Sequence, residues 1–180
     1  HYCILIFKEN MPFTPFHILA GVPVKSTLNN KFSWTVFVLA NVLIDTEGAY
    51  YLFTTGVVAH KLFHTWVAAT IIAILCAIFG KYLCEYGLRI WNNFILNEKY
   101  VPSLKWMRSS SKITKTSAWL SAFIGAYTHI LLDSFVALDM KPYFPFSDGN
   151  HLLGLISLQN IQYLCIGLFL FGVIIYIFKK

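Results

Sequence analysis

The chain has 180 residues, which suits a single domain. Hydrophobic residues make up 57% of it and charged residues only 12%, whereas a soluble domain typically carries about 25% charged residues. This composition excludes an ordinary water-soluble globule and predicts that lipid covers much of the fold.

Four apolar segments follow a short leader. Residues 1–10 (HYCILIFKEN) form a doubtful leader, because Met11 opens a stretch that resembles a natural start, and a single membrane domain is expected over residues 11–180. A transmembrane helix needs about 20 mostly apolar residues. This requirement predicts an all-α protein, an integral membrane helical bundle with about four transmembrane helices, over residues 33–53, 66–86, 117–138 and 152–178.

Basic residues predict the orientation of these spans. The net charge of +6 is concentrated in the 87–116 connection, which holds Arg89, Lys99, Lys105, Arg108, Lys112 and Lys115. Such a loop between apolar runs faces the cytoplasm more often than it binds nucleic acid, so no nucleic-acid partner is expected. The expected location is the cell (inner) membrane, with cytoplasmic N- and C-termini and with membrane lipids as partners. The sequence leaves the oligomeric state open.

Ionisable residues inside the predicted spans carry the functional hypothesis. Asp45 and Glu47 lie within residues 33–53, and His129 and Asp133 lie within residues 117–138. Insertion of an Asp near the centre of a membrane helix costs roughly 2.5–3.5 kcal/mol, so such residues need partners or a metal ion. For Glu47, capping a turn beside Gly48 is favoured over metal ligation.

The spacing of these residues predicts a shared metal site. His129 and Asp133 are four residues apart, so they lie on one face of a helix, and His60 and His64 have the same spacing. Two such pairs on different helices, with a carboxylate from a third, supply the nitrogen and oxygen ligands that suit zinc, manganese or iron. We therefore predict a divalent metal, zinc first, held by Asp45, His60, His64, His129 and Asp133.

His17 is a separate case. It precedes a short apolar stretch that ends at Pro23. Taken alone, it is better explained as hydrogen-bonded between helices than as a ligand. The predicted topology also places its segment inside, whereas His60 and His64 lie near the outer end of a span. Only a re-entrant segment or steeply tilted spans bring these three residues together.

Five short motifs carry a family resemblance. MPFTPFH, NVLIDTE, HKLFHTW, THILLDS and DMKPYFPF follow one another between residue 11 and about residue 155. This ordered set resembles the YdjM-like membrane-bound metal-dependent hydrolases and, more distantly, the zinc-dependent phospholipase C and nuclease group. The resemblance implies an all-helical fold and hydrolase activity, and it adds His17 to the metal ligands. The HKLFHT motif departs from the family spacing H-x-x-F-T-H-S, and further ligands of a trinuclear centre are missing, so one or two metals are expected.

Two functions follow from these residues. The first is a membrane-embedded metal-dependent hydrolase that uses metal-activated water, with His60 and Asp133 as the catalytic residues that move protons. The apolar surroundings of the site suit a lipid-like ester or phosphoester. The alternative is a non-enzymatic membrane protein with a structural metal site or a proton or ion relay. A membrane anchor whose basic loop recruits a cytoplasmic partner or acidic lipid headgroups is weaker, because it leaves the buried His and Asp residues unexplained.

Overall fold

The computed structural model describes residues 14–95 and 109–179. The expectations for residues 1–13 and for residues 96–108 of the basic loop therefore lie outside the described residues. Every regular element in the described ranges is helical, which confirms the predicted helical bundle. The elements in chain order are α1 (Thr14–Ala20), α2 (Val22–Leu28), α3 (Trp34–Thr55), α4 (Trp66–Leu75), α5 (Lys81–Ile90), α6 (Lys115–Ser134) and α7 (Leu158–Phe178).

Three helices are long and apolar enough to cross a membrane, among the residues that the structure describes. They are α3, α7 and a rod of 29 residues, Trp66–Phe94. The rod joins α4 to α5 through a π-helical stretch, Cys76–Gly80, and continues into a second one, Trp91–Ile95. The remaining predicted span, residues 117–138, corresponds to α6, which packs between α3 and α4 and is not one of these three helices. The rod thus runs beyond the predicted residue 86, and α7 begins later than the predicted residue 152.

Hydroxyl side chains fix where three helices begin. A Ser or Thr before a helix can accept a hydrogen bond from an N–H of the first turn, which otherwise has no partner. The start of α7 at Leu158, rather than at the first apolar residue of the run, follows from this cap. The three pairs are Thr65 with Ala68 N–H, Thr114 with Ser117 N–H, and Ser157 with Asn160 N–H.

A close approach between α3 and α6 sets the position of the functional residues. A Cβ added to Gly125 would lie 2.7 Å from the carbonyl oxygen of Phe37 and 3.1 Å from Nδ2 of Asn41. Only glycine therefore allows this spacing without a shift of the backbone. The four-residue repeat then continues from Gly125 to His129 and Asp133 on α6, so both side chains lie on the face that meets α3.

The N-terminal helices run beside α7 in the same direction. His17 on α1 lies 3.2 Å from Asp133 at the end of α6, whereas Lys179 at the end of α7 donates to carbonyls of α2. The two helices also meet at Gly172, where a Cβ would lie 2.6 Å from the nitrogen of Pro23. The segment therefore starts at the depth of His129 and Asp133. His17 thus lies at the same end of the bundle as His60 and His64, which is the proximity that a re-entrant segment or steeply tilted spans were expected to require.

Charges separate along the bundle. One end, here called the basic end, comprises the starts of α3 and α6 and the ends of α2, α5 and α7. Its basic residues are Lys25, Lys31, Arg89, Lys112, Lys115 and Lys179. In the described ranges the carboxylate of this end is Glu85, which pairs with Lys81 and accepts the N–H of Ile113. The opposite end, here called the carboxylate end, holds Asp45, Glu47, Asp133, Asp139 and Asp148, together with Lys61 and Lys141.

Candidate metal centre

Four ligand-type side chains meet at the carboxylate end. One ligand atom from each lies within 4.8 Å of the others, and the residues are Asp45, His64, His129 and Asp133. Nε2 of His129 lies 3.2 Å from Oδ1 of Asp45 and 3.0 Å from Oδ2 of Asp133. Nε2 of His64 lies 3.8 Å from each of the same two oxygens. Two imidazole nitrogens and two carboxylate oxygens thus surround one position.

These contacts are not hydrogen bonds. Nε2 of His64 and Nε2 of His129 are buried and have no hydrogen-bond partner among the described residues. A buried polar atom without a partner is uncommon and costs about 1–3 kcal/mol. Ligands that bind zinc at about 2.0–2.2 Å in a tetrahedron lie roughly 3.3 Å from one another. The nitrogen–oxygen distances of 3.0 and 3.2 Å at His129 match that separation, and those at His64 are looser.

Glu47 orients His64 from behind. Its Oε2 lies 3.0 Å from Nδ1 of His64, so Nε2 of the same ring points toward the cluster. The carboxylate also accepts three backbone N–H groups, from residues 61, 62 and 63, at 3.0, 2.7 and 3.0 Å. A carboxylate that holds the second nitrogen of a ligating histidine is a common feature of metal sites, because it fixes the ring and raises its basicity.

The same hydrogen bonds correct one expectation. The spacing of His60 and His64 suggested a helical pair, yet no helix spans Gly56–Thr65. The backbone N–H groups of residues 61–63 bind the Glu47 carboxylate. This replaces the bonds to preceding carbonyls that a helix would form. The predicted turn beside Gly48 was wrong, because Gly48 lies within α3, and Glu47 instead caps a turn in the 61–63 segment.

Asn41 plays the corresponding part for His129. Its Oδ1 lies 3.2 Å from Nδ1 of His129, and its Nδ2 donates to the carbonyl of Phe37 at 2.9 Å. Because the amide nitrogen is held by that carbonyl, the amide oxygen faces the imidazole, which directs Nε2 toward the two carboxylates. Asn41 lies one turn before Asp45 on α3 and is fully buried.

His17 lies beside the cluster. Its Nε2 is 3.2 Å from Oδ1 of Asp133, and its ring centre is 4.5 Å from that of His129. It is buried, and neither ring nitrogen has a hydrogen-bond partner among the described residues. Asp133 thus presents Oδ2 to His64 and His129 and its other oxygen to His17. The structure places His17 next to the four-residue group without including it there.

His60 lies outside the four-residue group. Its Nδ1 is 2.8 Å from Oδ1 of Asp139, and its backbone N–H donates to Oδ2 of the same carboxylate at 2.7 Å. The ring meets the ring of His64 edge-on, with centres 4.5 Å apart. His60 is therefore a neighbour of the candidate metal site, and its Nδ1 is already paired with Asp139.

Electrostatics favour a cation at this position. Asp133 is buried, and the side chain of Asp45 is about 30% exposed. Burial alone would lower the pKa of His64, but the carboxylates of Asp45 and Glu47 outweigh burial and raise it above the ordinary value. Buried carboxylates gathered in this way need positive charge to offset the loss of hydration. Either protonated imidazoles or a divalent ion supplies it.

Two residues of this site were missed in the sequence. Asn41 could have been identified from the sequence, because it is an amide in an apolar run and lies one helical turn before Asp45. No sequence pattern points to Asp139, because its partner His60 lies 79 positions away. His151 is exposed and lies beside Tyr143.

The family described as Domain of unknown function (DUF4184) matches residues 11–179. The chain belongs to this family. No curated protein matches the chain, and no solved structure matches it. The description of DUF4184 names no activity.

Proposed function

We propose that this DUF4184 chain is a membrane-embedded metal-dependent hydrolase. The observation that carries the proposal is the pair of buried Nε2 atoms of His64 and His129, which face two carboxylates but have no hydrogen-bond partner among the described residues. Their second nitrogens are held by Glu47 and Asn41, so both rings are oriented as ligands. Zinc is the first candidate, and manganese or iron also accept nitrogen and oxygen ligands. The YdjM-like resemblance of the motifs agrees with the proposal.

The residues divide into ligands and a proton carrier. A bound divalent metal supplies a water whose pKa falls to about 7, which makes hydroxide available at neutral pH. Of the two proton carriers expected from the sequence, His60 is the better placed. Its Nδ1 is held by Asp139, so Nε2 is left to exchange a proton. Asp133 has both oxygens engaged, one with His17 and one with His129.

The position of the site supports a lipid-like substrate. The centre lies where α3, α6 and the start of α4 meet, and α3 and α4 belong to helices apolar enough to cross a membrane. An ester or phosphoester with an apolar tail can reach this depth from the bilayer. With the basic end facing the cytoplasm, the centre lies in the opposite half of the cell membrane. A reporter fused after residue 179 is then expected to give a cytoplasmic signal. A periplasmic signal would show that the orientation is the reverse.

Turnover tests the proposal. Protein loaded with zinc, manganese or iron is incubated with lipid esters, phosphodiesters and phosphomonoesters in detergent. Hydrolysis that a chelator abolishes and the metal restores, and that His129→Ala lacks while His151→Ala retains it, supports the proposal. Full metal occupancy without turnover of any of the three classes contradicts it.

A structural metal site is the second candidate. Its supporting observation is the number of ligands, since four protein side chains can fill a tetrahedral shell and leave no position for water. Cobalt substitution separates the two functions. A spectrum that responds to added cyanide or azide indicates an open position and favours the hydrolase, whereas an unresponsive four-coordinate spectrum favours the structural site.

A further inference from the structure

A shallow groove lies at the basic end, far along α7 from the metal centre. It has a volume of about 310 Å³ and is bounded by α2, the start of α3 and the end of α7. Its lining residues are Val22, Lys25, Ser26, Trp34, Val173 and Tyr176. Most of this lining is hydrocarbon or aromatic, so the groove suits an apolar chain. Trp and Tyr rings are enriched at the level of lipid headgroups, so Trp34 and Tyr176 in the lining suit a position near a membrane surface.

Positive charge gathers at one turn on the rim of the groove. Nζ of Lys25 donates to the carbonyls of Asn29 and Phe32, each at 2.9 Å. Nζ of Lys179 donates to the carbonyls of residues 26 and 27, at 3.4 and 2.6 Å. Lys31 lies on the same turn and is exposed. Within residues 14–95 and 109–179, none of these three ammonium groups forms an ion pair with a carboxylate.

We propose that this groove binds an anionic phospholipid. The acyl chain lies between α2 and α7, and the phosphate lies at Lys25, Lys31 and Lys179. An ammonium group has three N–H donors. Lys25 and Lys179 each use two of them on backbone carbonyls, so one donor remains on each for a phosphate oxygen. Basic pockets between membrane helices on the cytoplasmic side are typical sites for such headgroups.

A second copy of the chain is a poorer occupant. A symmetric dimer uses the same patch on both subunits, so it would place three lysines opposite three lysines without a carboxylate from the described residues to offset them. An anionic lipid instead brings the opposite charge together with a tail that fills the apolar walls. The proposal does not depend on the metal centre, which lies at the other end of the bundle.

Native mass spectrometry of delipidated protein in detergent tests the proposal. Phosphatidylglycerol and phosphatidylcholine with identical acyl chains are titrated in parallel, and phosphatidylglycerol is expected to bind more tightly. Each of K25Q, K31Q and K179Q is expected to weaken its binding about fivefold, the equivalent of about 1 kcal/mol per lysine. The triple variant loses the preference. The matched control K112Q/K115Q removes charge from the same end but not from the groove, and it retains the preference.

A second variant tests the tail. Val173→Trp fills the groove and is expected to weaken both lipids while the circular dichroism spectrum stays helical. The proposal is overturned if the unmodified protein binds both lipids equally, or if the triple variant behaves like K112Q/K115Q. Displacement of phosphatidylglycerol by an equal concentration of inorganic phosphate would also overturn it, since the tail would then contribute nothing. The proposal is likewise overturned if the unmodified protein is a dimer and Val173→Trp dissociates that dimer while lipid binding stays unchanged.

Discussion

Nε2 of His129 lies 3.0 Å from Oδ2 of Asp133, one turn further along α6, and this contact is not a hydrogen bond. Both atoms instead face a position that Asp45 reaches from α3, with its Oδ1 3.2 Å from the same Nε2. Two side chains one turn apart on a rigid helix keep their separation. The position of Asp45 depends on how closely α3 approaches α6, and Gly125 sets the distance between these two helices.

Replacement of Gly125 tests this dependence. In Gly125→Ala the added Cβ would lie 2.7 Å from the Phe37 carbonyl, so α3 must move away from α6. Overpacking of this kind costs about 1–3 kcal/mol, and we expect both a lower melting temperature and weaker metal binding. The matched control is Gly167→Ala on α7, where an added Cβ meets nothing within 4 Å. Equal melting temperatures for the two variants would contradict the account.

Replacement of Glu47 tests the support behind His64. Glu47→Gln keeps the size of the side chain but removes the charge that faces Nδ1 of His64 and three backbone N–H groups. We expect metal affinity to fall about 10–100-fold, the usual effect of losing such a supporting group. Glu85→Gln makes the same chemical change at the basic end and should leave the affinity unaltered. Titration of zinc against a competing chelator measures both variants, and matching affinities would rule out the proposed support.

The helical parts of the site could be read from the sequence. His129 and Asp133 lie four apart in an apolar run, and α-helical geometry alone places them together. The choice of Asp45 followed from the cost of a carboxylate in a span. Those inferences needed only local geometry and solvation.

The other parts required the tertiary structure. His60 and His64 have the same spacing as the pair on α6 but lie in a non-helical segment, because Glu47 binds the N–H groups between them. Local spacing cannot reveal a partner 14 residues earlier in the chain. Asp139 is still more distant from His60. The path of α1 beside α7 also depends on long-range packing. The topology predicted from the sequence did not contain this packing, so it seemed to exclude His17 from the site.

The pH dependence of stability should differ between the metal-free and metal-loaded protein. The pKa of His64 in the metal-free fold is raised above its ordinary value of 6.5. Protonated His64 therefore stabilises this fold below pH 6.5, and that contribution is lost as the pH rises through the folded pKa. A metal ion requires neutral imidazole, so its binding strengthens over the same range.

Melting temperatures measured from about pH 6 to about pH 8 should therefore fall with rising pH for the metal-free protein and rise for the loaded protein. His64→Gln should weaken both trends, because glutamine does not titrate. Parallel trends in the two forms of the unmodified protein would show that protons and metal do not compete at His64.

Asp139 is expected to act through His60. Burial raises the pKa of Asp139, but hydrogen bonds from the ring and backbone of His60 outweigh it and hold the pKa below its ordinary value. Asp139→Asn removes the charge that orients the His60 ring. Turnover should fall by about 10²–10⁴-fold, the range for loss of general acid–base catalysis, while metal content stays constant. Asp148→Asn, at an exposed ion pair with Lys141, serves as the control. Unchanged turnover in Asp139→Asn would remove His60 from the mechanism.

The metal content of the purified protein tests the central claim most directly. Elemental analysis of protein prepared without chelators should find near-stoichiometric zinc, manganese or iron. His129→Ala should lose most of it, and His151→Ala, which changes an exposed histidine, should retain it. A folded protein that carries no metal, and whose melting temperature is the same with and without added zinc, manganese or iron, would contradict the account.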